Sequence, residues 1–142
     1  MFVLPLPRFS PEHVHPVLVN FTAALIPASV GSDLTGRLLR KAPLHTAAWW
    51  MLVYAAAITP LTALAGWWWK QRVGDTLSPE LILRHERLGF GLVFAFLALA
   101  IWRYAAHRKH EAPGTAYLLF GAVLVVLLVM QGTLGGTMLF GI

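Results

Sequence analysis

Four long apolar stretches, separated by short polar connections, constrain this chain more than any other feature. We predict membrane spans at about 16–32, 46–69, 79–104 and 115–139. A helix needs about 20 apolar residues to cross a bilayer, and it bonds all of its own backbone polar groups on the way. Hydrophobic residues make up 58% of the chain and charged residues only 12%, whereas soluble domains carry about a quarter. The sequence therefore predicts an all-α integral membrane protein, an antiparallel four-helix bundle forming one transmembrane domain over residues 1–142.

Four spans place both termini on one side of the membrane, here called side A. The connection around 70–78 also lies on side A, while those around 37–45 and 107–114 lie on the opposite side, side B. Lysine and arginine are slightly more numerous on side B, so the positive-inside rule predicts a bacterial inner-membrane protein with periplasmic termini. The net charge of +5 is expected to face anionic headgroups, so membrane lipids rather than nucleic acid are the predicted partners.

Missing residue types and motifs exclude several classes of chemistry. The chain has no cysteine, which excludes disulfides, thiolate-held metals, iron–sulfur clusters and covalently attached c-type haem. It also lacks a nucleotide-binding glycine loop, an HExxH helix and a GxSxG elbow. We therefore expect no catalytic residues and no enzymatic activity of the chain on its own.

Histidines at the membrane boundaries are the best candidates for a site. His15 and His85 lie at the side-A ends of spans one and three, and a bundle that pairs these two spans brings them to one level. An alternative helix order separates them across a diagonal, which is still able to enclose a porphyrin. Two neutral imidazoles on facing helices are able to ligate a haem iron, and bundle cores commonly hold such cofactors. The sequence predicts a haem b site with both histidines as metal ligands, in a cytochrome b-like electron-transport subunit.

Glycines and arginines nearby suit a porphyrin. Gly89 lies one turn after the histidine of span three, and Gly135 with Gly136 allows a flat ring to approach span four. Arg84 and Arg87 are predicted to pair with the propionates. Met138 is an alternative axial ligand.

The same residues also fit a cofactor-free scaffold or accessory subunit of a larger membrane complex. Interfacial histidines and arginines often extend to headgroups, and glycines often serve helix packing alone. Asn20 and Gln131 are able to hydrogen-bond between helices or to contact a quinone carbonyl, which makes quinone a second possible cofactor. Asp33 near the end of span one reads as a solvated helix end, satisfied by its own neighbours. His45 reads as part of a solvated turn.

Two local patterns concern the helix starts. Pro16 favours extended backbone at His15, which makes that histidine a pre-helical or N-cap residue. Ser10-Pro11-Glu12 precedes span one as Ser78-Pro79-Glu80 precedes span three. The echo indicates two related helical hairpins or a coincidence of common helix starts.

Several short motifs recur in a known order along the chain. They are His15-Pro16-x-Leu18-Val19-x-Phe21, then Asp33, Gly66-Trp67, His85 and Gly135-Gly136. In this the chain resembles the bacterial predicted membrane proteins grouped as domain of unknown function 2231. It departs from them at Asn20, where the family often has a second histidine, and at Thr22, where it often has proline. The resemblance implies a four-helix membrane protein with redox or other membrane subunits as partners, and it favours electron transfer over transport.

Overall fold

The computed structural model describes residues 11–140, and four long helices account for nearly all of them. They are α1 (Val14–Leu39), α2 (Ala42–Val73), α3 (Pro79–Arg108) and α4 (Thr115–Phe140), with short 3-10 turns at Pro11–His13 and Gly74–Thr76. Each is long and apolar enough to cross a membrane. The predicted all-α, four-span membrane bundle is confirmed.

The side-B connection between α1 and α2 is much shorter than the sequence predicts. Only Arg40 and Lys41 separate the two helices, although we expected a loop around 37–45. The chain reverses where Arg40 adopts a left-handed conformation (φ 54°) and its N–H donates to the carbonyl of Gly36, a common way to end a helix. Arg37 and His45, two of the polar residues that suggested a loop, are instead helical and hydrogen-bond to Pro113 and Asp33.

The four helices form a ring in chain order. α1 packs against α2 and α4, and α3 packs against the same two helices. α1 and α3 are therefore diagonal, and the prediction that they are neighbouring partners was wrong. Connections this short force consecutive antiparallel helices to lie side by side, which leaves the first and third across the centre.

Inward-facing residues follow spacings of four and three along every helix. On α3 they are His85, Gly89, Leu92, Phe96, Leu99 and Arg103. This spacing averages 3.5 residues and is typical of helices packed at a shallow angle, as in coiled coils. The middle of the bundle is apolar, with Ile26, Leu52, Phe96 and Leu99 fully buried, whereas polar side chains occupy the two ends of each stripe.

Small and hydroxyl-bearing residues bring α1 and α2 close together. The Ser29 hydroxyl donates to the carbonyl of Ala48 at 2.8 Å, and the hydroxyls of Thr22 and Thr59 lie 3.3 Å apart. Such residues let helix backbones approach in a membrane, where lipid offers no hydrophobic drive for helices to associate.

A buried polar cluster, here called the side-B cluster, joins three helices through Asp33, His45 and Arg103. Asp33 is fully buried and Arg103 is 2% exposed. The guanidinium donates to the carboxylate from Nε at 2.8 Å and from an Nη at 3.1 Å, and His45 Nδ1 donates to the same carboxylate at 2.7 Å. The predictions of a solvated Asp33 and a solvated His45 were wrong, because the two side chains pair with each other across neighbouring helices and Asp33 also pairs with Arg103 of α3.

We expect Arg103→Met to destabilise the bundle strongly, because it leaves the Asp33 carboxylate buried without its cation. Breaking one partner of a buried ion pair costs about 3–5 kcal/mol. The double variant Asp33→Leu with Arg103→Met removes both charges and should lose less. The thermal stabilities of the two detergent-solubilised variants are compared by heating and then measuring the folded fraction by size-exclusion chromatography. A double variant less stable than Arg103→Met would contradict the assignment.

Candidate functional site

A cavity of about 450 Å³ lies within the side-A end of the bundle, here called the side-A cavity, and residues of all four helices line it. Its lining is mostly apolar, and the polar groups are few. They include His15 of α1, Trp69 of α2, His85 of α3 and Gln131 of α4. Apolar pockets of this size with a few converging polar groups are typical of sites for small molecules and cofactors.

His15 lies in the first turn of α1, since the helix begins at Val14 and His13 occupies the N-cap position. The prediction that Pro16 would keep it outside the helix was wrong, because proline is tolerated in a first turn. His15 Nδ1 lies 2.9 Å from the carbonyl oxygen of Thr62. A carbonyl only accepts, so Nδ1 carries the proton and Nε2 keeps a free lone pair. The ring is thereby held in the tautomer that ligates metals through Nε2.

Gly66, one turn after Thr62, explains how the imidazole fits against α2. A Cβ at this position would lie 2.7 Å from His15 Cε1, so any side chain there requires the imidazole to move. The glycine therefore lets the ring lie directly on the helix backbone. The glycine of the Gly66-Trp67 motif has a packing role at the site.

His85 lies two turns into α3 and faces Gln131 and Gly135 of α4. The Gln131 amide nitrogen is 3.1 Å from His85 Nε2 and 3.0 Å from the His85 carbonyl oxygen, and it donates to both. A Cβ at Gly135 would lie 3.3 Å from His85 Cε1. His85 Nδ1 and Gln131 Oε1 are buried and have no hydrogen-bond partner.

The two histidines meet across the diagonal of the bundle. Their ring centroids lie 6.4 Å apart, and the ring planes are nearly perpendicular at 79°. Although α1 and α3 are not neighbours, each imidazole projects toward the centre from its own helix. The structure therefore brings together the two predicted ligands.

The other predicted site residues divide into two groups. Gly89, Gly135 and Gly136 all line the side-A cavity. Arg84 and Arg87 do not, because they lie on the outer face of α3. Arg84 donates to Glu80 at 2.6 Å with both side chains largely exposed, and Arg87 is exposed.

One cation does line the cavity, and it was not predicted from the sequence. Lys70 of α2 lies one turn beyond Gly66, and its ammonium donates to Glu86 at 2.6 Å. The four-and-three spacing would have placed Gly66 and Gln131 on inward stripes, but it gives no reason to choose Lys70 over other basic residues. Within residues 11–140, no three His, Cys, Asp or Glu side chains are grouped to hold a metal ion.

Gly66→Ala tests whether the backbone of α2 positions His15. The added methyl displaces the ring, and overpacking of this kind costs about 1–3 kcal/mol. Gly31→Ala is the matched control, because a Cβ there meets nothing within 4 Å and alanine favours helix by roughly 1 kcal/mol. We expect a lower thermal midpoint for Gly66→Ala than for Gly31→Ala in detergent. Equal midpoints would show that the contact is unimportant.

Comparison with known proteins agrees with this architecture. The model of one protein family, described as "Predicted membrane protein (DUF2231)", matches residues 11–141. No curated protein and no solved structure matches the chain. Because the match covers nearly the whole sequence, including both histidines of the side-A cavity, the chain belongs to the DUF2231 family of predicted membrane proteins.

Proposed function

We propose that this protein is a small b-type cytochrome-like subunit that holds haem between His15 and His85 and transfers electrons within the membrane. The observation that carries the proposal is the 6.4 Å separation of the two imidazole centroids. Metal–imidazole bonds of about 2.0–2.1 Å, as known for zinc, separate two rings on opposite sides of one ion by roughly 6 Å between centroids.

The chemistry of the donors supports a metal ligand at His15 more directly than at His85. His15 Nε2 has a free lone pair because Nδ1 donates to Thr62. His85 Nε2 accepts a hydrogen bond from the Gln131 amide, which has to be exchanged for the metal. Both rings are neutral donors of the type that haem iron accepts.

The surroundings of the two histidines suit the apolar porphyrin ring of haem and its anionic propionates. Phe90, Leu92, Val93 and Phe96 line the cavity from α3. Lys70 is the cation able to reach a propionate from inside the lining, at the cost of its pair with Glu86. A haem held by two histidines supplies one-electron transfer, and the protein tunes its potential through hydrogen bonding and burial.

Quinone is a second candidate for the same cavity. Trp69 Nε1 and Gln131 Oε1 are buried polar atoms without partners, and Trp69 Nε1 is a donor suited to a quinone carbonyl. We propose quinones or neighbouring redox subunits as electron partners. A cofactor-free accessory subunit is the competing function.

Haem binding is tested with the purified wild type and with His15→Ala and His85→Ala. We expect a b-type spectrum in the dithionite-reduced minus oxidised difference, near one haem per chain by pyridine haemochrome. In each variant the haem occupancy should fall at least tenfold, because one of the two histidine–iron bonds is lost.

His110→Asn is the matched control for these variants. His110 is exposed in the turn after α3 with φ 55°, a conformation that asparagine tolerates. This variant should keep the full spectrum. A folded wild type that takes up no haem, even when expressed with added haem, would favour the accessory-subunit function.

We further propose that side B faces the cytoplasm of a bacterial inner membrane. Exposed basic residues cluster in its two short connections and in the adjoining helix ends: Arg37, Arg40, Lys41, Arg108 and Lys109. On side A, Lys70 and Arg84 are paired with glutamates. Short basic loops remain on the cytoplasmic side during insertion, where anionic lipid also attracts them.

Reporter fusions test this orientation. Alkaline phosphatase fused to the C-terminus should be active and green fluorescent protein dark, because the terminus is expected in the periplasm. The same reporters inserted within residues 111–114 should give the opposite pattern. A fluorescent C-terminal fusion would reverse the orientation.

A further inference from the structure

The two helical hairpins, α1–α2 and α3–α4, position their histidines in the same way. His15 lies on Gly66 and contacts Thr62, whereas His85 lies on Gly135 and contacts Gln131. In each hairpin the contacting residue precedes the glycine by four positions. The histidine and its contact are separated by 47 residues in the first hairpin and by 46 in the second.

The side-B ends of α1 and α3 show the same correspondence between the two hairpins. Asp33 and Arg103, which pair across the diagonal, are 70 residues apart, as are the two histidines. The hairpins are therefore related by an approximate two-fold axis along the bundle, an arrangement known from membrane proteins built of parallel repeats. The repeated serine-proline-glutamate motif before spans one and three does not follow this two-fold relation, since His15 is in the first turn of α1 and His85 is two turns into α3.

One difference breaks the correspondence inside the site. His15 gives its Nδ1 proton to a main-chain carbonyl and leaves Nε2 free. His85 has Nε2 bound to the Gln131 side chain, while its own Nδ1 and the Gln131 Oε1 remain buried and unpaired. Buried polar atoms without partners are costly, so this end of the site is poorly satisfied as it stands.

We infer that Gln131 is a positioning residue whose amide donates to the His85 Nε2 lone pair that would bind iron. The amide moves away from this atom when iron binds. The inference rests on the proposed haem function and specifies how the site opens. After Gln131 moves, the lone pair of His85 Nε2 is free, as that of His15 Nε2 is. The Gln131 amide becomes free to pair elsewhere in the lining, as does its unpaired Oε1.

Gln131→Leu tests the inference by removing the competing donor while keeping a similar side-chain volume. We expect haemin to bind the detergent-solubilised variant roughly two- to tenfold more tightly than the wild type, because one net hydrogen bond no longer has to be broken. Soret titration measures the affinity and stopped flow the association rate. The variant's reduction potential is also expected to shift, since hydrogen bonding near the ligands tunes haem.

Gln71→Leu is the matched control, because Gln71 is an exposed glutamine of α2 outside the side-A cavity. It should bind haemin as the wild type does. Gln131→Ala repeats the test if the leucine variant does not fold. Haemin binding by Gln131→Leu but not by the wild type would also support the inference.

Two results would overturn it, and they are distinguishable from failure of the function. If the wild type binds haemin and Gln131→Leu binds with equal or lower affinity, Gln131 does not compete for His85 and the inference alone is wrong. If neither the wild type nor any Gln131 variant binds haemin, the proposed function fails and the inference falls with it.

Discussion

Polar side chains inside a membrane bundle must find polar partners, and this constraint organises the whole molecule. The strongest example is the ion pair of Asp33 with Arg103, in which two fully or almost fully buried charges meet with two hydrogen bonds. Neither charge is tolerable alone in a hydrocarbon environment. Because they lie on diagonal helices, their pairing fixes the centre of the bundle on side B. His45 ties the second helix to the same carboxylate.

The fold was largely predictable because its causes are local. Hydropathy determines the four spans, and short connections determine their antiparallel order. Several errors arose where a distant residue decides the outcome. Asp33 looked like a solvated helix end because its partners are supplied by α2 and α3, so the first helix appeared to stop early. Pro16 suggested extended backbone at His15. Proline is nevertheless compatible with the first turn of a helix, because the N–H that it lacks would have no partner within the helix there.

The candidate site was only partly predictable. His15 and His85 were identified as residue types with chemistry at one membrane level, and the structure brings them together. Arg84 and Arg87 were selected for being close to His85 in sequence, yet the helical period turns both away from the cavity. Lys70 and Thr62 act from another helix, and Thr62 contributes only its carbonyl. Main-chain groups carry no signature in a sequence.

The approximate two-fold axis has a consequence for how such a bundle can be made. In a symmetric pair of identical hairpins, a residue next to the axis faces its own copy, so position 33 would set carboxylate against carboxylate. A chain that contains both hairpins is free of this constraint and places an aspartate opposite an arginine there. The same freedom allows the two imidazoles of one site to differ, with one held by a main-chain carbonyl and the other by a glutamine side chain. With both hairpins in one chain, the two halves are chemically complementary instead of identical.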